Sequence, residues 1–387
     1  MVQGEGRELS DGPTTLLRAV EGGSPAVFEE ALDAEPVARL PEPERARLLE
    51  AARRWYEAGA EAELRRVTGA REPARTSVVR DGDDGRVEEV SLGGRTVRGG
   101  HGAILTRLEW ELRILVPVEE LVARAVRFED EDHVDRLAVG WILLLRHGAE
   151  TWSRVVEFHR HPSAACRAFV AGFLLSVGLM SGVLPHARRY EERRLGLLPG
   201  WANVESDGGV LALVLGLLED AGHPRARAYG LRYAGHPDPR VRSRVPGLFD
   251  RPLDPETARV VRDLGRDPAG EVRAMAAETL GREEPGEEDR ALLLALLRDE
   301  DPQVGARAAF ATALGPDRSP EVTGALLELL DADERDTRLS AAFGLARRGH
   351  PRTPEAYERV GPLGPELAGD HRADGLWRWR GGNEPGG

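Results

Sequence analysis

An arginine recurs through this chain at nearly regular intervals, and this repeat limits the available folds more than any other feature. The series comprises Arg136, Arg167, Arg242, Arg273, Arg307 and Arg338. The gaps between successive members are 31, 75, 31, 34 and 31 residues. A unit of about thirty residues cannot bury its apolar face alone, so such units stack into a solenoid whose exposed faces bind other molecules.

Short proline-containing segments predict where the helices of each unit begin. One set lies six residues before an arginine: His161-Pro162, His236-Pro237, Asp267-Pro268 and Asp301-Pro302, with Asp130 at the same distance before Arg136. A second set places a capping side chain before a proline, an arrangement that favours a helix N-terminus. This second set includes Asp254-Pro255, Ser319-Pro320 and Thr353-Pro354. Each unit is therefore predicted to contain helix A, a tight turn, and helix B with the arginine near its start.

The long gap between Arg167 and Arg242 accommodates one further unit. Leu211 stands at the arginine position of that unit, 31 residues before Arg242, and an insertion of about a dozen residues precedes it near Ser176 to Arg188. We therefore expect an all-α solenoid of about seven helix pairs, spanning roughly Pro117 to Gly364.

Four segments describe the predicted organisation. Residues 1–70 form a helical cap, because two apolar helical patterns follow each other there. Residues 71–100 form a β-hairpin or linker, because Val78, Val79, Val87 and Val90 alternate with polar residues and glycine turns. Residues 101–365 are the solenoid, and residues 366–387 are a C-terminal tail with a frayed end.

Composition excludes several kinds of chemistry and partner. All 53 basic residues are arginine, so lysine-dependent phosphate loops and Schiff bases are excluded. The net charge of -13 lacks the basic footprint of a duplex-binding protein. A single cysteine, Cys166, excludes an internal disulfide and suits a reducing compartment. We expect a cytoplasmic protein, since Met1 to Pro13 lacks a signal pattern.

The stretch from Ala168 to Leu184 contains seventeen residues without a charge. This length reaches the lower limit for a membrane-spanning helix, which is about 17 residues. The stretch follows Arg167 in the repeat register, however, and a solenoid helix enclosed by its neighbours is also apolar on all sides. We therefore interpret it as a buried repeat helix followed by an apolar loop, and we expect no membrane association.

The repeat motif resembles HEAT repeats. The resemblance is carried by Asp-Pro-x-x-x-Val-Arg at Asp267 to Arg273 and Ala-x-x-Leu-Gly at Ala277 to Gly281. The 31-residue period is most similar to the bilin-lyase type of HEAT-like repeat. In this family the arginine usually bonds acids and carbonyls of the inter-repeat turns, for which Asp267, Asp301 and Asp336 are available. The resemblance thus implies a structural arginine ladder, and it specifies the fold better than the activity.

Two weaker resemblances concern the source and the N-terminus. Thr15 to Ala19, with Gly22, Val27 and Leu32, resembles one degenerate ankyrin unit, which implies a cap or docking module. The arginine-only basic residues and the abundance of alanine and glycine are typical of a bacterial protein from a high-GC genome.

Candidate metal and catalytic residues are few. His133, His147, His159, His161 and Cys166 lie within 34 residues, but their spacing is not that of a zinc site. Cys166 lies on an apolar stretch, as a small core residue does. His101 follows Gly99 and Gly100, and we expect it to be the most solvent-accessible imidazole, although no cysteine or serine is adjacent. The sequence therefore predicts no catalytic residue, no cofactor and no metal.

The favoured function is a protein- or peptide-binding scaffold without catalytic activity. Its binding groove is predicted from helix B positions away from the core stripe: Arg240, Ser243, Glu271, Glu278 and Asp336. This mixture of charges suits a polypeptide rather than a nucleic acid. The alternative is a HEAT-like enzyme, either a bilin-lyase-like protein or a DNA glycosylase that would use an acid with Trp141, Trp152 or Trp201.

Overall fold

The structure is a computed structural model that describes residues 15–82, 85–146, 148–183, 189–367 and 369–383. Several sequence predictions lie outside the described residues. They are the N-terminal stretch from Met1 to Pro13, the turn residues Asp83 and Asp84, the candidate ligand His147, and residues 184–188 of the insertion.

The chain divides into two compact units, one up to Glu192 and one from Arg193 onward. This division falls inside the segment that was predicted to be one solenoid, 101–365. The helices of the first unit are α1 (Thr15–Gly22), α2 (Pro25–Ala34), α3 (Glu42–Ala58), α4 (Ala60–Thr68), α5 (His101–Glu111), α6 (Val118–Ala125), α7 (Val134–Leu145), α8 (Ala149–Glu157) and α9 (Ala164–Met180).

The first unit begins with a helical hairpin. Gly23 turns the chain between α1 and α2 with a positive φ of 69°, which glycine adopts without strain. Ser24 then caps α2 by accepting a hydrogen bond from the Val27 amide at 3.3 Å, and Pro25 occupies the first helical position. The apolar faces of α1, α2, α3 and α5 bury one core, which includes Leu16, Phe28 and other aliphatic residues.

A three-stranded antiparallel sheet follows α4 where a hairpin was predicted. Its strands are β1 (Arg75–Asp81), β2 (Gly85–Leu92) and β3 (Arg95–Arg98), in the order β1-β2-β3. Val79 pairs with Val87, and Val90 pairs with Val97. The buried side chains of β2 and β3 pack against Trp55 and Leu64, so the sheet covers α3 and α4.

Helix pairs complete the first unit and make up most of the second. In the first unit α7 packs against α5, α6 and α9. The boundary between the units falls near the start of α10 (Glu191–Val204). The second unit then contains α11 (Gly208–Asp220), α12 (Ala226–Tyr233), α13 (Pro239–Arg244), α14 (Pro255–Leu264), α15 (Gly270–Gly281), α16 (Glu287–Leu296), α17 (Pro302–Leu314), α18 (Pro320–Glu328), α19 (Arg335–Arg347), α20 (Thr353–Val360) and α21 (His371–Asn383).

The second unit has the layered arrangement of an α-solenoid. Helices α11, α13, α15, α17, α19 and α21 pack successively side by side as the B layer. Each of α14, α16 and α18 packs against the B helix that follows it, as the A layer. On α15 the predicted core positions Val272, Ala276 and Leu280 are all buried, and the helix ends at Gly281. The all-α solenoid fold predicted from the repeat is confirmed.

The C-terminal tail is helical from His371 to Asn383, and residues 384–387 of the end that was predicted to be frayed lie outside the described residues. Helix α21 packs against α19, and its residues Ala373 and Leu376 are buried in the core of the last repeats. Gly375 allows this approach, because an added Cβ would lie 2.4 Å from the Phe343 ring. The tail therefore contributes one more B helix than the arginine series indicated.

The apolar stretch after Arg167 forms α9, which ends at Met180. Within the described ranges, no helix combines the length and the apolar character needed to cross a bilayer.

Candidate binding groove

The arginine series forms inter-repeat bridges at Arg242 and Arg273. Arg242 donates two hydrogen bonds of 2.7 Å to the carboxylate of Asp267. Its remaining Nη1 donates to the carbonyl oxygens of His236 and Pro237, at 2.8 and 3.0 Å. Each guanidinium therefore closes its own turn and fastens it to the turn of the next repeat through a bidentate pair.

Arg167 and Arg338 also donate hydrogen bonds to turn carbonyls. Arg167 donates to the carbonyls of His161 and Pro162, both at 2.9 Å. Arg338 donates to two carbonyls of its own turn at 2.7 Å and to the Arg359 carbonyl at 3.0 Å. All four of these arginines occupy the fourth residue of their helices.

Arg307 and Arg136 have contacts that differ from the predicted ladder. The Arg307 side chain is 49% exposed and lies 3.3 Å from Glu278. Arg136 is the third residue of α7, not the fourth, and its guanidinium lies over the Phe169 ring at 5.6 Å. The predicted ladder is therefore incomplete at these two positions.

Arg307 does not form the ladder contacts because the repeat register is shifted by two residues at α17. Helix α17 begins directly after its cap Asp301, whereas α15 begins three residues after Asp267. Asp299, not Asp301, matches Asp267, because each accepts the backbone amide two residues later. Gly305 consequently takes the fourth position of α17, and Arg307 takes the sixth.

A second series of ion pairs, which the sequence analysis missed, joins the A helices and their turns. Its three pairs are Arg227 with Asp254 at 3.0 Å, Arg262 with Asp289 at 2.9 Å, and Arg290 with Asp317 at 2.9 Å. Every pair spans 27 residues, and this constant spacing of arginine and aspartate is the signal that could have revealed it. Many arginine side chains of the second unit therefore form ion pairs within the fold.

The B helices of the second unit form a groove with a cavity of about 760 Å³. Side chains at the second, fifth, sixth and ninth helical positions form its walls, since these face the same side of each helix. The B-helix lining is Ser243, Arg244, Glu271, Ala274, Met275, Gln303, Ala306, Arg307, Phe310 and Asp336, and α21 with the residue before it adds Asp370, His371 and Arg372.

Three of the five predicted groove residues line this cavity: Ser243, Glu271 and Asp336. Arg240 lies outside the lining and pairs with Asp238 at 2.7 Å. Glu278 lies behind Arg307 and also bonds Arg282. The structure thus brings three of the predicted residues together in one cavity, and α21 supplies further lining residues that the helix register did not include.

Arg372 is the most constrained cation of the groove. It bonds Asp370 and Asp336, each at 2.6 Å, and the Ser340 hydroxyl at 2.8 Å. Its guanidinium also lies over the Phe310 ring at 5.5 Å. Although its burial opposes the effect, these hydrogen bonds raise the pKa of Arg372 above its ordinary value.

The remaining charges of the lining have fewer partners. Arg244 and Glu271 are exposed and form no ion pair among the described residues. In the described part of the chain, Arg307 forms one ion pair, with Glu278. Among the described residues, the lining therefore presents the exposed Arg244, Arg307 and Glu271 beside the apolar side chains of Met275 and Phe310, while the exposed Asp336 is paired with Arg372.

The other candidate residues serve the fold. His133 and His161 each accept a backbone amide two residues later, as an aspartate does in a turn. Cys166 is buried on α9. No group of three or more His, Cys, Asp or Glu side chains in the described part of the chain is arranged to hold a metal ion.

The structure also shows the surroundings of the three candidate tryptophans and of His101. Trp152 is buried and stacks on Tyr190, and Trp201 is buried with its indole N–H donating to Glu205. Trp141 is 46% exposed on α7. The expectation that His101 is solvent-accessible is wrong: its ring is 2% exposed, because the helical hairpin and Trp55 enclose it.

The fold has a distant similarity to the solved structure of YibA from Escherichia coli. The TM-score is 0.45 at 17% sequence identity, over 68% of this chain and 93% of that chain. No family model matches the chain, and no curated protein sequence matches it either.

Proposed function

We propose that the groove of the second unit binds an extended polypeptide segment that carries charges of both signs. The observation that carries this proposal is the pair Arg244 and Arg307, two accessible cations at the same helical position, facing an apolar floor and the unpaired Glu271.

The dimensions of the groove suit an extended chain. Arg244 and Arg307 lie on α13 and α17, with α15 between them. Packed helices lie about 8–10 Å apart, so the two guanidinium groups are separated by roughly 16–20 Å. An extended chain that rises about 3.3 Å per residue covers this distance in five or six residues.

The arrangement of charges indicates how side chains would be distributed. The second helical positions supply Glu271 and Asp336, and the sixth positions supply Arg244 and Arg307. A chain that crosses the B helices places alternate side chains toward these two rows. Basic side chains would meet the acidic row and acidic side chains the arginine row, which gives register and specificity more than raw affinity.

The same charges disfavour a polyanion. Phosphates along a nucleic acid would meet Glu271 and Asp336 as well as the arginines, and a carboxylate beside a phosphate is repulsive. We therefore propose a protein or peptide partner and no nucleic acid. The assignment to the bilin-lyase type of HEAT-like repeat, the ankyrin-like character of α1 and α2, the bacterial source and a cytoplasmic location are further proposals from sequence.

Selection from a random peptide display library tests the proposal. The wild-type chain should enrich peptides with two acidic residues about six positions apart, which lie on the same face of an extended chain, and basic residues between them. The variant Arg244→Glu/Arg307→Glu should lose these sequences. Arg259→Glu, at another exposed arginine, on the A helix α14, is the control and should enrich the same sequences as wild type. Absence of enrichment, or enrichment that the groove variant retains, contradicts the proposal.

A further inference from the structure

The first unit contains a second cavity, of about 470 Å³, which the groove proposal does not use. It lies among the end of α3, the start of α4, strand β2 and the turn before α7. Tyr56, Glu88, His101, Phe128 and Asp135 are among its lining residues. A single water occupies about 30 Å³ in the liquid, so the cavity has room for a small organic molecule.

Two ionisable side chains form the buried end of this cavity. His101 is 2% exposed and Asp135 is 1% exposed, while Glu88 at the other end is open to solvent. Among the described residues, His101 Nε2 and Asp135 Oδ2 have no hydrogen-bond partner. Buried polar atoms are normally paired, so two unpaired atoms at one cavity call for a ligand or ordered water.

Both side chains are held in fixed orientations. Asp135 Oδ1 accepts the Ala103 amide at 2.7 Å. The His101 ring stacks on Trp55, with 4.8 Å between the ring centroids and 7° between the planes. Neither group can turn toward another partner without losing these contacts, so the unpaired atoms are features of the folded site.

The two unpaired atoms favour hydrogen-bond donors. Burial lowers the pKa of His101 to about 4, while the carbonyls of Glu21 and Val20 beside the ring oppose this, so the imidazole is neutral at pH 7. A neutral ring that donates from Nδ1 to a carbonyl offers Nε2 as an acceptor. Asp135 Oδ2, when ionised, is an acceptor as well.

The charges around the cavity favour a cation. Arg65 is paired with Glu61 at 2.8 Å, and Arg127 donates to the Tyr56 carbonyl at 2.6 Å. Glu88 forms no ion pair in the part of the chain that the structure describes. Burial raises the pKa of Asp135 to about 7, and Arg127 is the lining arginine that forms no ion pair among the described residues. A cationic ligand would favour the ionised form of Asp135 and would compensate Glu88, whereas an anion would face Glu88 and oppose ionisation of Asp135.

We propose that this cavity binds a small organic cation with at least two N–H donors, such as an amidinium, guanidinium or primary ammonium group. One N–H bonds His101 Nε2 and another bonds Asp135 Oδ2. The site is separate from the groove and does not depend on the proposed function.

Isothermal titration calorimetry of the full chain with benzamidinium tests this proposal. Benzamide and benzoate are matched probes, because they keep the ring and change the head group to neutral or anionic. Benzamidinium should bind at least tenfold more tightly than benzamide, as expected for hydrogen bonds to a charged group. Benzoate should not bind.

Three variants locate the binding. Asp135→Asn should weaken benzamidinium binding about tenfold or more, and Glu88→Gln, at an exposed position, should weaken it by a few fold. Glu119→Gln, an exposed acid on α6, should leave the affinity unchanged. Because Glu88 is exposed, its variant remains informative even if Asp135→Asn does not fold. The proposal is contradicted if benzamidinium does not bind measurably, or if benzamide binds as tightly as benzamidinium. It is also contradicted if both the Asp135 and the Glu88 variants bind benzamidinium with wild-type affinity.

Discussion

Arg273 holds the carboxylate of Asp299 with two hydrogen bonds of 2.8 and 2.7 Å, across 26 residues of chain. The same guanidinium donates to the carbonyls of Asp267 and Pro268 at 3.0 and 3.2 Å. Both side chains are largely buried, at 14% and 10% exposed. One arginine thus connects two consecutive turns, which explains why the residue recurs once per repeat.

Arg273→Ala should destabilise the protein by about 1 to 3 kcal/mol, because Asp299 and two turn carbonyls lose their donor in a poorly solvated place. Arg307→Ala is the matched control. It removes a half-exposed arginine with one ion pair and should cost less than about 0.5 kcal/mol. Urea unfolding measures both. Equal losses in the two variants would contradict this account, because they would show that the buried contacts of Arg273 contribute no more to stability than the exposed ion pair of Arg307.

Ser319→Ala should destabilise by roughly 0.5 to 2 kcal/mol, because the Ser319 hydroxyl caps α18 by accepting from the Val322 amide. Ser206→Ala is the control, since Ser206 is exposed and directly precedes the actual cap of α11, Asp207. Thermal melts compare the variants. If Ser319→Ala melts with wild type, the capping bond is not a source of stability.

His133 should make stability depend on pH in the acid range. Burial lowers its pKa to about 4 from 6.5, so the folded chain binds fewer protons than the unfolded chain between these values. The contribution of neutral His133 to the free energy of unfolding is fully present above pH 6.5 and is lost as the pH falls toward 4. His133→Asn keeps an acceptor for the Asp135 amide but cannot titrate there. Its unfolding free energy should therefore fall less steeply than wild type from pH 6.5 to 4.5, and parallel curves would refute the assignment.

Asp135 should act with the opposite sign. Burial raises its pKa to about 7 from 3.8, so the folded chain binds more protons than the unfolded chain in this window. The stability associated with its neutral form is present below pH 3.8 and is lost as pH rises through 7. Asp135→Asn cannot ionise, and its stability relative to wild type should increase from pH 4 to pH 8 in urea titrations. A pH-independent difference would show that Asp135 is not buried as described.

The sequence predicted the stacked helix pairs because the arginine recurs at a constant helical position. It failed at Arg307, because aspartate-proline pairs were aligned as equivalent helix starts. Pro268 precedes the cap of α15, whereas Pro302 is the first residue of α17. A proline fits both places, so only the hydrogen bonds of Asp267 and Asp299 fix the register.

The groove and the first-unit cavity were predictable only in part. Helical periodicity placed Ser243, Glu271 and Asp336 on one face, but the contribution of Arg372 depends on the tail folding back as a B helix. The burial of His101 also could not be anticipated. The glycines before it suggest exposure, yet Gly100 is close-packed against Pro25, which a side chain at that position would contact. Such contacts are long-range and leave no local pattern.

Duplex DNA should not bind at physiological salt, because the groove alternates acidic and basic side chains. Each neutralised phosphate would add about 0.9 to the slope of log affinity against log salt, and the groove offers few arginines that could neutralise phosphates. A gel-shift titration at low and at physiological salt measures this slope. Micromolar or tighter binding with a steep salt dependence would favour the DNA-repair alternative over a polypeptide partner.

The most direct test of the groove is a charge exchange between the chain and a peptide taken from the display selection. Fluorescence anisotropy gives the affinity of that peptide for wild type, for Arg307→Glu and for the control Arg259→Glu. We predict at least a tenfold loss for Arg307→Glu, no change for the control, and recovery when the acidic residue of the peptide that faces position 307 is replaced by arginine. Loss without recovery, or equal affinity for all three proteins, would contradict a peptide bound across the B helices at Arg307.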